Sequence, residues 1–409
     1  MPPSSTASMP RALVALFACA SGFSVANVYY AQPLLDALGA DFAIGRAAVG
    51  AVVTATQVGS VLALLLLVPL GDRWPRRRLM LLQLLALVVA LLAVAGARHA
   101  SALMAAMLAV GMLGTAMTQG LIAYAAAASQ PGERGRVVGA AQGGVVAGLL
   151  LARVMAGLVA DLAGWRAVYG GAALAMLALG LLLWRSLPPL PGLANKQSYP
   201  RLIGSMFALL RDDRVLRVRG VIALLMFAAF NILWSALVLP LSIAPYRYSH
   251  TAIGAFGLVG LAGTLAAARA GRWADQGHGQ RTSAAALLLL VLAWLPLSAA
   301  FGAGDSPMWT VSMLVTGIIM LDLGVQALQV TNQSMIFSGG NASHSRLVGC
   351  YMLFYAVGSG SGALAATMVY AAAGWGAVCA LGAAVSLAAL LFWLLAERRN
   401  SRAMAVNRW

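Results

Sequence analysis

Charged residues are scarce in this chain, making up 9% of its 409 residues, while 61% of the residues are hydrophobic. A water-soluble fold needs more polar cover than this composition supplies, so the sequence excludes an ordinary soluble domain. Apolar runs of about 20 residues, the length of helix that crosses a bilayer, recur along the chain with short polar breaks. The sequence therefore predicts a protein that crosses a lipid bilayer many times.

Cysteine is also rare, and Cys19, Cys350 and Cys379 each lie in a different apolar run without a CxxC pairing. This spacing indicates small apolar filler and gives no sign of a disulfide or a metal site. The chain lacks HExxH, GxSxG and P-loop motifs, and its 4 histidines fall in predicted loops. We therefore expect a protein that is not an enzyme, uses no cofactor and is not an ATP-driven pump.

Acidic residues are few as well: 11 Asp and Glu stand against 27 Lys and Arg, for a net charge of +16. Every basic residue except Lys196 is an arginine, and most lie in loops on one side of the predicted bundle. Cytoplasmic loops of membrane proteins are enriched in Lys and Arg. This bias predicts that both termini are cytoplasmic, and it explains the charge by topology rather than by nucleic-acid binding.

The apolar windows form two sets of six predicted helices, which makes an all-α membrane protein with two pseudo-symmetric halves. The predicted organisation is an N-terminal half (1–184), a cytoplasmic linker (185–219) and a C-terminal half with a cytoplasmic tail (220–409). The windows are 12–35, 47–70, 79–97, 101–128, 137–160 and 167–184 in the first half, then 220–243, 251–270, 282–301, 308–330, 347–371 and 376–395 in the second.

The two halves share short sequences at corresponding places. Gly-Asp-Arg-Trp at 71–74 returns in altered form as Gly-Arg-Trp-Ala-Asp at 271–275, each after the second helix of its half. Gly-Trp-Arg-Ala-Val at 164–168 returns as Gly-Trp-Gly-Ala-Val at 374–378. Duplicated six-helix halves imply a pseudo-twofold axis with a binding site at the interface between the halves.

These features resemble the major facilitator superfamily, whose signature between helices 2 and 3 is similar to Leu-Gly-Asp-Arg-Trp-Pro-Arg-Arg-Arg at 70–78. The stretches Asn-Val-Tyr-Tyr-Ala-Gln-Pro-Leu-Leu at 27–35 and Leu-Asp-Leu-Gly-Val-Gln at 321–326 are similar to a bacterial branch of efflux permeases. The resemblance implies a monomeric secondary transporter of the bacterial inner membrane that works by alternating access. It covers almost the whole chain.

The chain also departs from the family pattern. Val68 and Pro75 stand where the signature has glycines. Helix 4 has no arginine, although many drug and proton antiporters of the superfamily carry one there, and helix 5 lacks the Gly-Pro pair of the antiporter motif. Drug antiport is therefore one hypothesis among others.

Asp322 is the one acidic residue well inside a predicted span, and Arg153 is the one base there. Each costs about 2.5 to 3.5 kcal/mol to insert, so a functional role is the default interpretation. Asp322 begins a polar stripe on helix 10 that continues with Gln326. We predict that Asp322 carries the coupled proton, because burial disfavours the charged form of a carboxyl. A structural Asp with a permanent partner is the alternative.

Arg153 supports three interpretations: a coupling partner of Asp322, a structural cation, or a group that recognises an anionic substrate through its bidentate guanidinium. The sequence leaves open whether Arg153 and Asp322 pair. Further polar and aromatic residues fall in helices that line the family's central cavity, where they would contact substrate or hold the bundle together. These candidates are Asn27, Tyr30, Gln32, Gln119, Asn231, Trp234 and Gln326.

The turns after helices 2 and 8 are the predicted gate, because an Asp there can accept hydrogen bonds from a helix N-terminus and arginines can pair across the halves. Ordinary topogenic charge is the alternative for the arginines. The gating candidates are Gly71, Asp72, Arg73, Arg76, Gly271 and Asp275.

The sequence as a whole predicts proton-coupled efflux of a small amphipathic molecule or drug, with the substrate, protons and the lipid bilayer as partners. Uptake or facilitated transport of a metabolite or organic anion is the main alternative, and a non-transporting membrane sensor is a further one. Substrate identity, transport direction, the coupling ion with its stoichiometry, and the oligomeric state are left open.

Overall fold

The computed structural model describes residues 9–130, 132–188, 190, 198–261, 263, 269–270, 272–301, 306–337 and 344–406, without the side chains of 72, 274, 275, 337, 344, 345 and 399–406. Within these ranges the chain folds as helices with no strand, so the predicted all-α membrane fold is confirmed. The N-terminal helices are α1 (Arg11–Tyr29), α2 (Leu35–Asp41), α3 (Ala51–Leu62), α4 (Arg76–Ala95), α5 (Ala100–Ala128), α6 (Arg134–Ala163) and α7 (Trp165–Ser186).

The second half repeats this order after the connecting helix α8 (Tyr199–Asp212). A short 3-10 turn, Gln32–Leu34, joins α1 to α2. The C-terminal helices are α9 (Arg214–Ala236), α10 (Val238–Leu241), α11 (His250–Val259), α12 (Gly279–Leu292), α13 (Trp294–Ser298), α14 (Pro307–Phe337) and α15 (His344–Val406).

The described residues contain 10 helices long and apolar enough to cross a membrane, and the last of them, Arg346–Arg398, is 53 residues long. That helix holds two spans, because Gly374 breaks it with φ of 72° and ψ of −166°. The shorter apolar helix His250–Val259 supplies the remaining span, which agrees with the twelve predicted. Gly164, the repeat partner of Gly374, separates α6 from α7 with φ of 80°. Glycine adopts this left-handed conformation without the strain of a Cβ.

Helix α4 carries apolar side chains on its exposed side as well as on its buried side. On α4, Leu82, Leu85, Val89 and Leu92 lie on one face and are more than half exposed. Leu87, on another face of the same helix, is fully buried. Leucine and valine side chains so exposed indicate that lipid surrounds the bundle. The fold is therefore that of a multi-pass membrane protein.

Glycines allow the closest helix contacts in both halves. A Cβ added to Gly148 of α6 would lie 2.2 Å from the carbonyl oxygen of Gly22 in α1. A Cβ added to Gly358 of α15 would lie 2.1 Å from the carbonyl oxygen of Leu224 in α9. The first span of each half, α1 or α9, therefore packs backbone to backbone on the fifth span, which is α6 or the first part of α15. The same contact occurs in both copies of the repeat.

The helix predicted to begin at 220 begins at Arg214. Asp213 caps it, since the Asp213 carboxylate accepts a hydrogen bond from the backbone nitrogen of Leu216 at 2.9 Å. Arg219, predicted to lie in the linker, is therefore inside α9 and only 3% exposed. The expectation that Arg153 is the one base inside a span is wrong, because a cap that begins a helix is not visible in an apolar window.

The helix bundle has two ends that carry different charged residues. The basic face consists of the helix ends that carry Arg76, Arg134 and Arg346. The opposite face consists of the helix ends that carry Asp161 and His250. The connecting helix α8 lies at the basic face, where the Tyr199 hydroxyl donates to the carbonyl oxygen of Leu66 at 2.5 Å and Arg346 Nη1 donates to Ser205 Oγ at 3.2 Å. The linker therefore touches both halves.

Candidate functional site

A chain of hydrogen bonds joins the two halves at the middle of the bundle. Arg153 Nε in α6 donates to Gln32 Oε1 at 2.9 Å, and Gln32 Nε2 donates to Asn231 Oδ1 in α9 at 2.9 Å. Asn231 Nδ2 in turn donates to the carbonyl oxygen of Phe227 at 3.1 Å, which orients its amide. Three residues chosen from the sequence thus lie together, and all three are buried.

Aromatic rings surround the Arg153 guanidinium. Its central carbon lies 4.0 Å from the ring centroid of Trp234, 5.6 Å from that of Tyr29 and 5.7 Å from that of Phe230. Rings at these distances stabilise a cation through their π faces. Among the described residues, Nη2 of Arg153 and the indole nitrogen of Trp234 have no hydrogen-bond partner. We call Nη2 of Arg153 the open nitrogen, because it is buried without an acceptor among the described residues.

Tyr29 contacts Arg153, whereas Tyr30, a candidate for the substrate cavity, points to another part of the N-terminal half. Tyr30 makes an edge-to-face contact with Tyr169 of α7, with the ring centroids 6.4 Å apart. Neighbouring residues on a helix point in directions about 100° apart, so only one of the two tyrosines faces the centre. Phe230, one residue before Asn231, was also missed because it looks like lipid-facing filler in sequence.

Asp322 lies on α14 and is 6% exposed. Its carboxylate makes no hydrogen bond or ion pair with any residue in the described part of the chain. A Cβ added to Gly260 would lie 2.5 Å from Asp322 Oδ2, and one added to Gly257 would lie 3.4 Å from Arg153 Cδ. Two glycines of the same helical segment therefore make room for both charged side chains.

The relation between Arg153 and Asp322, both of which the structure describes, is electrostatic and not direct. The ion pairs found within 4.0 Å among the described residues do not include these two. Gln326 follows Asp322 on the same side of α14, where its Cγ would lie 3.0 Å from a Cβ added to Gly263. The polar stripe of α14 therefore faces protein.

The remaining cavity candidates lie elsewhere. Asn27 is fully buried on α1, and neither atom of its amide has a partner among the described residues. Gln119 lines a separate cavity of about 130 Å³ at the basic face, together with Gly71, Arg76 and Gln83. The structure therefore brings Arg153, Gln32, Asn231 and Trp234 into a central cluster, and it places Gln119 beside the gating residues Gly71 and Arg76.

The predicted gate is only partly described. Arg76 Nε donates to the carbonyl oxygen of Gly71 at 3.2 Å, which ties the turn to the start of α4. Arg73 is exposed. Gly271 and the side chains of Asp72 and Asp275 lie outside the described residues, so the gating role remains a prediction.

The second buried arginine, Arg219, is bound differently from Arg153. Its Nη1 donates to Ser283 Oγ at 2.8 Å and to Asn332 Oδ1 at 3.3 Å. Its Nη2 donates to Gln280 Oε1 at 2.8 Å, and Gln280 Nε2 donates to Glu397 Oε1 at 2.7 Å. All of these partners belong to the C-terminal half, so Arg219 ties four helices of one half together.

At the opposite face, side chains that the sequence did not single out bridge the two halves. His250, placed in a loop by sequence, is the first residue of α11, where the Ser249 hydroxyl caps the helix by accepting from Ala252 N at 3.2 Å. Its Nδ1 lies 3.0 Å from Asp161 Oδ1, and its Nε2 lies 3.1 Å from Asp36 Oδ1. Both carboxylates belong to the other half. The signal available in sequence was the Ser-His-Thr run of a helix start.

Asp161 also accepts from Thr251, through the backbone nitrogen at 2.8 Å and the hydroxyl at 2.6 Å. A second contact on this face joins α3 to α15, where Thr54 Oγ1 donates to the carbonyl oxygen of Gly360 at 2.8 Å and Gly50 N donates to Thr367 Oγ1 at 3.2 Å. The halves therefore meet at the opposite face in two places.

Comparison with known proteins places this arrangement in a family. Residues 14–344 match the family model of the Major Facilitator Superfamily. The chain is 39% identical over 399 residues to the uncharacterized transporter YgaY of Escherichia coli (strain K12), covering 96% of this chain and 97% of that protein. It is 31% identical over 385 residues to the probable transporter SCO4007 of Streptomyces coelicolor, covering 91% and 85%.

Solved structures show the same fold. A mutant of the nucleoside transporter NupG superposes with a TM-score of 0.72 at 16% identity, covering 94% of this chain and 98% of that one. The human organic anion transporter MFSD10 superposes with a TM-score of 0.66 at 20% identity, covering 94% and 100%. This chain therefore belongs to the Major Facilitator Superfamily, and it is a membrane transporter rather than an enzyme.

Proposed function

We propose that this protein is a proton-coupled secondary transporter that exports a small amphipathic molecule, with Asp322 as the proton carrier. The observation that supports this most is the state of the Asp322 side chain: 6% exposed and, among the described residues, without a hydrogen-bond or ion-pair partner. A carboxyl in such a place is stable when protonated and attracts a cation when it loses the proton. The nearby cation is Arg153.

Arg153 connects the protonation of Asp322 to the contacts between the two halves. When Asp322 holds a proton, Arg153 stacks on Trp234 and donates to Gln32, as in this structure. Loss of the proton creates a charge that draws the guanidinium toward Asp322. Gln32 links Arg153 to Asn231 of the other half, and Asp322 also belongs to that half, so the movement exchanges one contact between the halves for another. Proton release is thereby coupled to the change between the two access states.

The aromatic and amide groups of the central cluster suit an amphipathic substrate. The rings of Trp234, Tyr29 and Phe230 provide apolar faces, and Asn231 and Gln32 provide hydrogen-bonding groups that fix orientation. Efflux is supported by the resemblance at 27–35 and 321–326, since Gln32 and Asp322 are themselves part of those two motifs. We further propose a monomer in the bacterial inner membrane with the basic face in the cytoplasm.

The test uses energised everted membrane vesicles and a fluorescent pH-sensitive dye. A panel of cationic, neutral and anionic amphipathic compounds is added, and proton release from the vesicles is recorded for wild type and Asp322→Asn. We expect a compound that releases protons with wild type and not with Asp322→Asn. Asp212→Asn is the matched control, because the Asp212 side chain is 72% exposed on the connecting helix. Equal responses from wild type and Asp322→Asn would exclude Asp322 as the carrier.

An organic anion is the second candidate substrate, and the open nitrogen of Arg153 favours it. A guanidinium binds a carboxylate most strongly with two parallel hydrogen bonds, and Nη2 has no acceptor among the described residues. The structural neighbour MFSD10 is named an organic anion transporter. In the same assay, an anion-specific response that is lost in Arg153→Gln would favour this candidate over a neutral or cationic substrate.

A further inference from the structure

The ring of His250 lies between two carboxylates, and both come from the other half of the protein. Asp36 belongs to α2 and Asp161 to the last turn of α6, whereas His250 begins α11. The three side chains are 24% to 25% exposed, so water reaches them while the contacts stay partly shielded. The halves must separate here whenever the opposite face opens, because these side chains bridge them.

The protonation of the ring follows from what its two nitrogens face. A neutral imidazole has one N–H, so one carboxylate would lie against a nitrogen lone pair and be repelled. The imidazolium has two N–H groups and donates one to each carboxylate. The contacts of 3.0 Å to Asp161 and 3.1 Å to Asp36 therefore favour the charged ring.

A metal ion does not explain this cluster. The two carboxylates touch opposite edges of the imidazole ring, so their oxygens do not converge on one point. The described residues hold no group of three side chains placed to bind a metal ion. The ligand that this geometry accommodates is a proton.

We propose that His250, Asp36 and Asp161 form a second proton-binding site, which holds the opposite face closed when it is loaded. Asp36 and Asp161 are the titratable groups that touch the ring from the packed helices, and the nearby Arg166 of α7 is paired with Asp41. The site takes its proton from the compartment at the opposite face. It is separate from Asp322, which lies inside the membrane-spanning part of α14.

The sign of the pH effect is fixed by the charged state of His250. The closed state binds the proton more tightly than the open state, in which the carboxylates have moved away. The two contacts to carboxylates stabilise the closed state while the ring is charged, and this stabilisation is lost as rising pH removes the ring proton. Acid at the opposite face closes that face, and base lets it open.

The test measures the distance between two spin labels on the opposite face, one in each half, by pulsed electron paramagnetic resonance in lipid nanodiscs. Cysteines replace Ser101 at the start of α5 and Met308 at the start of α14, both exposed, and Cys19→Ala removes the exposed native thiol. Between about pH 5 and about pH 8 we expect the ratio of short to long distances in wild type to fall about tenfold.

The distances are also measured in an Asp322→Asn background, which removes the other proposed proton site. In that background His250→Gln removes the titrating ring and keeps the backbone contacts to Asp161, so the pH shift should disappear. His99→Gln is the matched control, since His99 is an exposed histidine on the same face, and it should keep the full shift. Asp36→Asn is the second variant and should move the midpoint to lower pH. The proposal is overturned if the distance between the labels does not change with pH while His250 is present, or if His250→Gln keeps the full pH-dependent shift. This readout needs no substrate, so its failure is distinguishable from failure of proton transport through Asp322.

Discussion

Within the part of the chain that the structure describes, two arginines are buried among the membrane-spanning helices, and they are bound in opposite ways. Arg219 donates to Ser283, Asn332 and Gln280, all within one half. Arg153 donates to Gln32 alone, stacks on Trp234 of the other half and, within the described residues, keeps one nitrogen open. The two residues are almost equally buried, at 2% and 3% exposure.

The difference shows why burial of a charge does not by itself indicate function. A buried cation whose donors are matched by acceptors from one rigid unit can hold that unit together through every state of the cycle. A buried cation that is held between two units and is incompletely matched can change partners when the units move. Arg219 fits the first description and Arg153 the second, so mutations of the two should separate stability from transport.

The largest effect on stability is expected from Arg219→Gln. The change removes the charged donor from the buried Ser283 and Asn332 and from the partly buried Gln280, and we expect the free energy of unfolding to fall by about 3 to 5 kcal/mol. Thermal unfolding of the purified protein in detergent would show this as a lower Tm. Arg217→Gln, at an exposed position of the same helix, is the control and should leave the Tm unchanged. An unaltered Tm in Arg219→Gln would mean that Arg219 does not stabilise the fold more than Arg153 does.

Arg153→Gln should reduce transport and leave the stability of the protein almost unchanged. Removing an incompletely paired buried charge relieves a cost of about 2.5 to 3.5 kcal/mol, which offsets the lost hydrogen bond and aromatic stacking. We therefore expect a change of less than about 1 kcal/mol in the free energy of unfolding, with transport reduced at least about tenfold. Vesicle transport and thermal unfolding of the same preparations measure the two quantities. A loss of stability equal to that of Arg219→Gln would mean that Arg153 is structural.

Gln32→Glu sharpens the comparison by giving Arg153 a permanent anion. A carboxylate at the present Nε to Oε1 distance of 2.9 Å would form a charge-assisted hydrogen bond of about 1.5 to 3 kcal/mol. Arg153 would then no longer respond to Asp322, and transport should lose its dependence on the proton gradient. Gln119→Glu is the control, because Gln119 lies in the basic-face cavity. Retained proton dependence in Gln32→Glu would contradict the proposed route.

Trp234→Phe should have the smallest effect. The ring that stacks on Arg153 becomes smaller and loses its N–H, which weakens the cation contact by about 0.5 to 1 kcal/mol. We expect a few-fold rise in the substrate concentration for half-maximal transport, with stability unchanged. Trp184→Phe, at a tryptophan that is more than half exposed, should behave as wild type. Identical transport in the two variants would place the substrate away from this ring.

Much of the architecture follows from sequence. Apolar windows predict the twelve spans, including the break between the windows 347–371 and 376–395, because hydropathy depends on local composition. The central residues are predicted less well. Gln32, Asn231 and Trp234 join Arg153 as a cluster together with Tyr29, whereas Gln119 and Tyr30 lie apart from it.

The sequence by itself determined that the chain lies in a membrane, that it is duplicated, and that Asp322 and Arg153 are charges in an apolar setting. These are sums and repeats along the chain. Only the tertiary structure decided that Arg219 is buried and matched, that Arg153 links the halves, and that His250 meets two carboxylates 89 and 214 positions away. The physical reason is that a hydrogen bond depends on the rotation and approach of two helices to within an ångström, and hydropathy carries no information about either.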